Sequence, residues 1–387
     1  MLEHVDILIA GGGPVGATLA LALRASGLTV MVLEARSHFS HRADPRTLAL
    51  SYGSRLILQR LGIWQSLPQP AVIETIHISH KGGLGRSVLS AAAEKVPALG
   101  YVVNYAALNE ALHAALTHSQ IHYITGARVT QVRSVQSYAV ADFEHNGALH
   151  QVTARLLALA DGGRNLSDIP GVKQHVRDYG QSAVIAHVKT ELAQCNVAYE
   201  RFTPEGPVAL LPSGDGYALV WTTAPEKVPD MLQWDDATFL AKLHAHFGDR
   251  LGAFTQTGPR ASFPLTLRYS KPVAGPRIVL LGNAAQMLHP VAGQGFNLGL
   301  RDAWELSVEI LRTVPGQIGS AAMLSNYSQS RKPDTQGGIL FTDALVRTFS
   351  NDSLALQHAR GAALMALDML PPVKRFIVRK MLYGARG

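Results

Sequence analysis

Two stretches of this chain place glycines where a backbone must come close to another group. The first, Gly11-Gly12-Gly13-Pro14-Val15-Gly16, carries a G-x-G-x-x-G spacing. In that spacing Gly11 permits a tight turn, Gly13 lets the backbone approach a pyrophosphate, and Gly16 lets a helix pack on the preceding strand. A helix starting there also offers unpaired N–H groups and a positive dipole end to the phosphates. Glu34, followed by Ala35 and Arg36, supplies a carboxylate for a ribose 2′-hydroxyl. The second stretch runs from Gly282 and Asn283 through His289 and Pro290 to Gly293, Gln294, Gly295, Phe296 and Asn297. Its backbone N–H groups are suited to a heterocycle carbonyl, and a helix beginning near Gly295 would stabilise negative charge on a ring being reduced. Between the two lies Asp161-Gly162, an acid at a strand end where doubly wound sheets bind ligands. Plainer readings stay open: glycines that only turn the chain, an Asp-Gly turn, and a histidine that is merely structural.

These groups need a particular scaffold. Val5 to Ala10 is an apolar run rich in β-branched residues, helical spacing follows from Pro14 to Ser26, and Thr29 to Glu34 is again strand-like. Strand, glycines, helix, strand and terminal acid arrive in the order a dinucleotide-binding unit requires. Arg155 to Ala160 and Arg277 to Leu281 predict two more buried strands, each feeding one of the other two motifs. From Tyr179 to Phe263 the pattern becomes alternating strands at 183–188, 197–202, 208–211 and 217–223, which predicts an antiparallel sheet. Ala209, Leu210, Leu211, Leu219, Val220 and Trp221 on it favour an apolar substrate, although core packing accounts for most such residues.

Composition limits the alternatives. The 387 residues are 47% hydrophobic and 16% charged, which excludes a disordered chain and predicts two or three folded units. The single cysteine, Cys195, excludes an internal disulfide and places the chain in a reducing compartment, read as the cytoplasm. A formal charge of +7 attracts anions without selecting among them, and nucleic acid is not an expected partner. No histidine cluster has ligand spacing, so no metal site is expected. The glycines and proline within 7–23 argue against a membrane-spanning helix there. Near the end, Pro371 to Tyr383 mixes basic residues with Phe376, Ile377, Met381 and Leu382. That segment predicts a terminal helix that touches a membrane face, or equally one packed on the protein's own surface.

The three motifs together resemble the single-component FAD monooxygenases that hydroxylate aromatic rings, with the p-hydroxybenzoate hydroxylase fold. Within these, the stretches 44–50 with 61–64, 199–203 with 206–207, and 282–302 are similar to the ubiquinone-biosynthesis hydroxylases, in particular those acting on 2-octaprenyl-6-methoxyphenol. The resemblance implies an α/β fold: a Rossmann-like FAD-binding domain (1–75, 98–175 and 265–345), an inserted antiparallel β-sheet substrate domain (76–97 and 176–264), and a C-terminal helical segment (346–387). Gly11, Gly13, Pro14, Gly16, Glu34, Ala35 and Arg36 would then hold the ADP half of FAD, Asp161 and Gly162 would lie near the pyrophosphate, and Gly282, Asn283, Pro290 and Gly293 to Asn297 would hold ribitol and isoalloxazine. Arg46 takes the place of a flavin-side arginine, and Tyr105 stands where some relatives have Gln or Arg. Asn283 replaces the family's acid, and Gln286 stands where many relatives have His. His289 and Pro290 become the catalytic candidates, the former as a hydrogen-bond partner of a phenol.

The implied reaction has NADPH or NADH, bound transiently, reduce FAD, after which O₂ forms a C4a-hydroperoxide that transfers one oxygen to a prenylated phenol. The expected partners are that substrate and O₂, a peripheral membrane contact through the C-terminus, and a ubiquinone-biosynthesis complex. The competing enzymatic reading is an FAD-dependent reductase or dehydrogenase of an isoprenoid or aromatic compound. A non-enzymatic nucleotide-binding scaffold would have no use for the loop around Gly293.

Overall fold

Short apolar runs that end at glycine or an acid assemble the first sheet. In the computed structural model, which describes residues 3–37, 46–82, 85–289, 293–349, 361 and 365–386, the opening strand Glu3–Ala10 lies near its centre. It pairs in parallel with Val30–Glu34 on one side and Ala148–Leu159 on the other. His122–Thr125 and Ile278–Leu280 extend the parallel set outward. A parallel sheet needs both faces covered. Ile7 and Ile9 pack with residues of helices Pro14–Leu23, Tyr105–Thr117 and Gln294–Arg312, whereas Leu8 and Ala10 share a core with Val132, Ala141 and Phe143 of an antiparallel hairpin. The first and third of those helices approach closely because Gly299 has no side chain: a Cβ there would lie 3.0 Å from Val15 and 3.2 Å from the Gly282 Cα.

The second sheet has nine strands and is largely antiparallel. Its spine is the long strand Lys173–Thr190, paired with Ala261–Lys271 from Lys173↔Lys271 to Ile185↔Ala261. This ladder crosses the boundaries expected at 175/176 and 264/265. The outgoing and returning chains pair on both sides of a register shift between Asp178 and Gln181, so the ladder runs on through both expected boundaries. Likewise the helix Ala321–Phe349 runs through the boundary expected at 345/346. A three-stranded sheet pairs Gly100–Asn104 with Thr47–Ser51 and Ala71–Ile73.

The C-terminal helix Pro371–Tyr383 buries Val378 and Leu382 against Ile73, Leu89 and Ala198. Among the described residues, no helix is long and apolar enough to cross a membrane.

Candidate active site

The parallel register brings the carboxyl ends of the strands to one edge: Ala10 lies opposite Leu159 and Leu33, and Glu34 opposite Thr125. The crevice outside that edge is where open α/β sheets bind ligands. Here it is a cavity of about 240 Å³, and Gly11, Gly13, Glu34, Ala35, Arg36 and Asp161 all line it. Gly11 sits at φ +103°, and a Cβ on it would meet the Ala160 carbonyl at 2.6 Å. A Cβ on Gly16 would lie 2.0 Å from the Gly11 carbonyl oxygen, so helix and turn interlock through it. Gly13 is different: its Cβ would meet nothing within 4 Å and would enter the cavity. It caps the helix without a side-chain hydrogen bond, and Pro14 follows at the first helical position. The first-turn N–H groups are thus left for a ligand.

Glu34 is buried and held firmly. Its Oε2 accepts from the Gly12 N–H at 2.8 Å, and its Oε1 from the Arg36 N–H at 3.0 Å and Nε at 2.7 Å. Burial pushes its pKa up, but the Arg36 guanidinium and the two backbone N–H groups outweigh that and hold it below the ordinary carboxylate value. Two carboxylate oxygens retain acceptor capacity beyond these three bonds, which leaves room for a ribose hydroxyl. Asp161 turns back on its own loop, accepting from Gly163 N–H at 2.9 Å and from the Asn165 side-chain amide at 2.7 Å. Gly162 is exposed at φ +77°.

Tyr105, which stands where some relatives have Gln or Arg, lines the same cavity. Strand pairing puts Thr47 opposite Asn104, so the Tyr105 N–H donates to the Arg46 carbonyl at 3.0 Å, and the Arg46 guanidinium lies over the Tyr105 ring, 4.3 Å from its centroid. Arg128, Arg164 and Asn165 complete the polar lining; Arg164 and Asn165 directly continue the Asp161-Gly162 motif, whereas nothing in the local sequence marks Arg128.

The second glycine-rich loop starts at Gly282, where φ is +55° and Val15 leaves no room for a side chain. Asn283 is exposed on the short turn that follows. Gln286 donates to the buried Asp302 carboxylate, which also accepts from Arg331 Nε at 2.9 Å, so this side chain anchors the loop to the helices. His289 is 1% exposed and meets the Tyr179 ring edge-on at 5.4 Å. Burial lowers its pKa to about 4, leaving a neutral imidazole at neutral pH. Pro290 lies outside the described residues. Gly293, at φ +60°, caps the helix Gln294–Arg312 without a side-chain hydrogen bond. Gln294 and Gly295 are half-buried in its first turn, and Phe296 packs on the core beneath.

Asn297 departs from its expected use. Its Oδ1 accepts from the Ser51 N–H at 2.8 Å, and its amide nitrogen donates to Ala49 O at 2.9 Å and Gly293 O at 2.7 Å. Those bonds tie the strand Thr47–Ser51 to the loop, which makes Asn297 a residue that shapes the cradle.

On the far side of Gly293 opens an apolar cavity of about 310 Å³. The second sheet forms one wall, and strand alternation decides which residues reach it. Ala209, Leu211 and Val220 line the cavity, whereas Leu210, Leu219 and Trp221 point the other way, into a core with Phe239 and Leu243. Phe341 and Leu345 of the long helix and Ile377 and Met381 of the C-terminal helix face them. Ala49 and Gly293 close the end nearest the loop. His289 does not occur among the described lining residues; Glu200 does.

An open glycine position that a side chain would fill, a helix N-terminus without a side-chain cap at the sheet edge, and a separate apolar chamber bounded by Gly293 fit a flavoprotein monooxygenase. The FAD binding domain family matches residues 4–340. The chain is 34% identical over 385 residues to ubiquinone hydroxylase UbiL of Rhodospirillum rubrum, covering 97% of this chain and 88% of that one. It is 32% identical over 397 residues to 3-demethoxyubiquinol 3-hydroxylase of Escherichia coli, covering 96% and 97%. Among solved structures, p-nitrophenol 4-monooxygenase PnpA from Pseudomonas putida superposes with a TM-score of 0.78 at 19% identity, with both chains covered in full, a likeness of fold. The chain belongs to the FAD-dependent hydroxylase family of ubiquinone biosynthesis. FAD is its cofactor, and NAD(P)H is the reductant typical of that family.

Proposed function

We propose that this chain hydroxylates the ring of a prenylated methoxyphenol, a ubiquinone precursor, at the carbon para to its hydroxyl. The observation that carries this reading is the apolar cavity meeting the glycine loop at Ala49 and Gly293. A second apolar cavity, of about 350 Å³ between the three last long helices, shares Phe341, Ile377 and Met381 with the first. Together they offer a continuous apolar run for a prenyl tail, each methylene buried there contributing about 0.8 kcal/mol.

In this reading Gly11, Gly13 and the first turn after Pro14 take the FAD pyrophosphate, Glu34 takes the adenosine ribose, and Arg46, Tyr105 and Asp161 flank them. The backbone from Gly293 to Phe296 holds the isoalloxazine, with Asn297 fixing the loop. When bound, the reduced flavin supplies the activation of O₂ and one electrophilic oxygen atom. The protein's share is to orient the ring, exclude water and bind the tail.

The C-terminal helix is the place where this enzyme meets lipid. Its inner face is committed to the protein, while Val373 (47%) and Phe376 (62%) stay exposed beside the exposed Arg375 and Arg379. A water-insoluble product also favours transfer within a complex of ubiquinone-biosynthesis enzymes. The test of the reaction supplies holoenzyme, NAD(P)H, ¹⁸O₂ and a prenylated methoxyphenol. Labelled oxygen in the hydroquinone is expected; label only in water and hydrogen peroxide, with the phenol unchanged, overturns this substrate.

A further inference from the structure

The cavity wall is almost wholly hydrocarbon, yet the strand Val197–Phe202 places one carboxyl group in it. Ala198, Glu200 and Phe202 alternate onto the cavity face, and Glu200 projects among Ile78, Ala209 and Leu211 from the neighbouring strands. Among the described residues its carboxyl has no hydrogen-bond or ion-pair partner. Glu200 is half-buried, its carboxyl open only to the cavity, and holding such a group in an apolar wall without a protein partner is unfavourable, a cost that persists in a folded protein when a ligand or a reaction uses the group.

We propose that Glu200 is a catalytic residue of this hydroxylation: it accepts a hydrogen bond from the substrate phenol and takes its proton as the ring is attacked. This rests on the substrate class proposed above and assigns the base that reaction needs. A phenol held in an apolar chamber is a weaker nucleophile than a phenolate. Proton removal pushes electron density to the para carbon. The phenol O–H bond breaks and an O–H bond forms on a Glu200 oxygen, while a new C–O bond forms to the oxygen delivered from O₂. The ring is oxidised and O₂ is reduced with the electron pair of NAD(P)H. As aromaticity returns, Glu200 gives its proton back to the phenol oxygen. The ring C–H proton leaves with the water formed from the second oxygen atom.

The surroundings fit that role. Burial alone raises the Glu200 pKa to about 7, close to the pH at which a base both exists ionised and has affinity for a proton. Of the other titratable groups lining the cavity, Lys374 on the C-terminal helix is neutralised by Asp368 at 2.5 Å. Tyr199, the preceding residue, turns its ring to the opposite face, against Tyr217 and Phe247. The long helix and the two flanking strands contribute only apolar side chains to the described lining near Glu200. A cation fixed beside the carboxylate would lower its basicity; Lys374 is kept from that by its own acid.

The test compares wild type, Glu200→Gln and Glu200→Asp as FAD-loaded holoenzymes with 2-methoxy-6-prenylphenol and with its methyl ether, which has no proton to give. In wild type, product formation should rise tenfold or more from pH 5.5 to pH 8, with a midpoint near 7. Glu200→Gln should keep its FAD and its NAD(P)H-dependent flavin reduction, lose at least 100-fold in product, release hydrogen peroxide instead and show no such midpoint. Glu200→Asp should recover part of the rate with the midpoint. Full activity and an unchanged pH profile in Glu200→Gln would overturn the assignment. If wild type hydroxylates neither compound, the substrate reading has failed, and binding decides Glu200 separately, followed by quenching of flavin fluorescence at pH 8. A preference of wild type for the phenol over its ether that disappears in Glu200→Gln supports the carboxyl–phenol contact; equal discrimination in both proteins refutes it.

Discussion

The cleft at the sheet edge and the cavity beneath the second sheet, which Gly293 helps to close, are built by opposite means. The cleft is opened by backbone: a turn at Gly11, an open position at Gly13 and one helix N-terminus without a side-chain cap. Its shape is fixed by what is missing from a few adjacent residues. The cavity is made of side chains contributed by the second sheet, the long helix and the C-terminal helix, none of which is adjacent in sequence. A site that binds a fixed nucleotide can be written into one short stretch, whereas a chamber for a particular ring and tail must be assembled by the whole fold.

The sharpest way to break that contrast is inside the glycine motif. Gly13→Val adds its side chain to empty space at an extended backbone conformation (φ −63°, ψ 177°) that valine adopts readily. It should abolish FAD binding, by 100-fold or more in affinity, with the apoprotein's melting temperature nearly unchanged. Gly16→Ala inserts a Cβ 2.0 Å from the Gly11 carbonyl oxygen and should instead prevent the domain from folding. Absorbance at 450 nm after reconstitution and thermal melts of the apoproteins check both. FAD retained by Gly13→Val would mean that the pyrophosphate lies elsewhere.

The second test uses neighbours on one strand. Ala209 faces the cavity and Leu210 the core behind it. Ala209→Phe should leave stability and flavin content intact and stop turnover of the prenylphenol while NAD(P)H oxidation continues. Leu210→Ala should cost about 2–5 kcal/mol of stability, the usual range for a buried leucine, and spare the reaction in the protein that remains folded. Denaturant titration and a coupled product assay separate the two. Equal effects would mean that the wall and the core are not distinct.

The same contrast explains what could be read in advance. The strand, helix and strand around Gly11 to Glu34 follow from local sequence, because a tight turn and a close packing contact each demand glycine at one position. The antiparallel character of the second sheet was legible for the same reason: its alternation is local. Which face of that sheet meets the cavity was not. Ala209 and Leu210 are equally apolar neighbours, and only the helix Asp236–Phe247 behind the sheet decides between them. His289 drew attention because it sits beside the flavin loop in sequence, with a structural role equally open; the fold buries it against Tyr179. Tyr105 was set aside on local grounds, and a strand pair to Thr47 brings it beside Arg46. Glu200 offered a faint signal, a lone acid between Ala198 and Phe202 at strand period, and only the third dimension shows that it faces the apolar cavity without a partner among the described residues.

That buried acid makes a smaller, pH-dependent prediction. Glu200 titrates near 7 in the folded chain against an ordinary value of 4.5, so the folded state binds the proton more tightly. Its contribution to stability is present in full below pH 4.5 and is lost as pH rises through 7. Substrate-free Glu200→Gln, which cannot ionise, should therefore melt at a higher temperature than wild type at pH 8 and at the same temperature near pH 4.5. Calorimetry across that range checks the sign. A variant less stable at pH 8 would mean that the carboxylate has a stabilising partner.

The C-terminal helix carries the smallest expected effect, because its inner face serves both the cavity and the core and only its outer face can be tested. Ile377 and Met381 wall the cavity and Val378 and Leu382 sit in the core, so removing the helix would open the chamber and confuse two roles. Its outer face can be altered alone. Val373→Ser with Phe376→Ser removes exposed apolar surface that touches no core cluster, and Arg375→Gln with Arg379→Gln removes two exposed cations. Each basic residue near an anionic surface contributes about 1 kcal/mol to binding. The arginine pair should therefore lower co-sedimentation with phosphatidylglycerol vesicles by roughly tenfold or more at low salt, and hardly at all with neutral vesicles. The serine pair should weaken binding to both. Flavin content and turnover of a short-tailed phenol dispersed in detergent should stay as in wild type for either variant, since neither pair lines the first cavity and a short tail does not reach the second, which Phe376 borders. Unchanged vesicle binding by both variants would leave this face an ordinary solvated surface, with the tail entering from elsewhere.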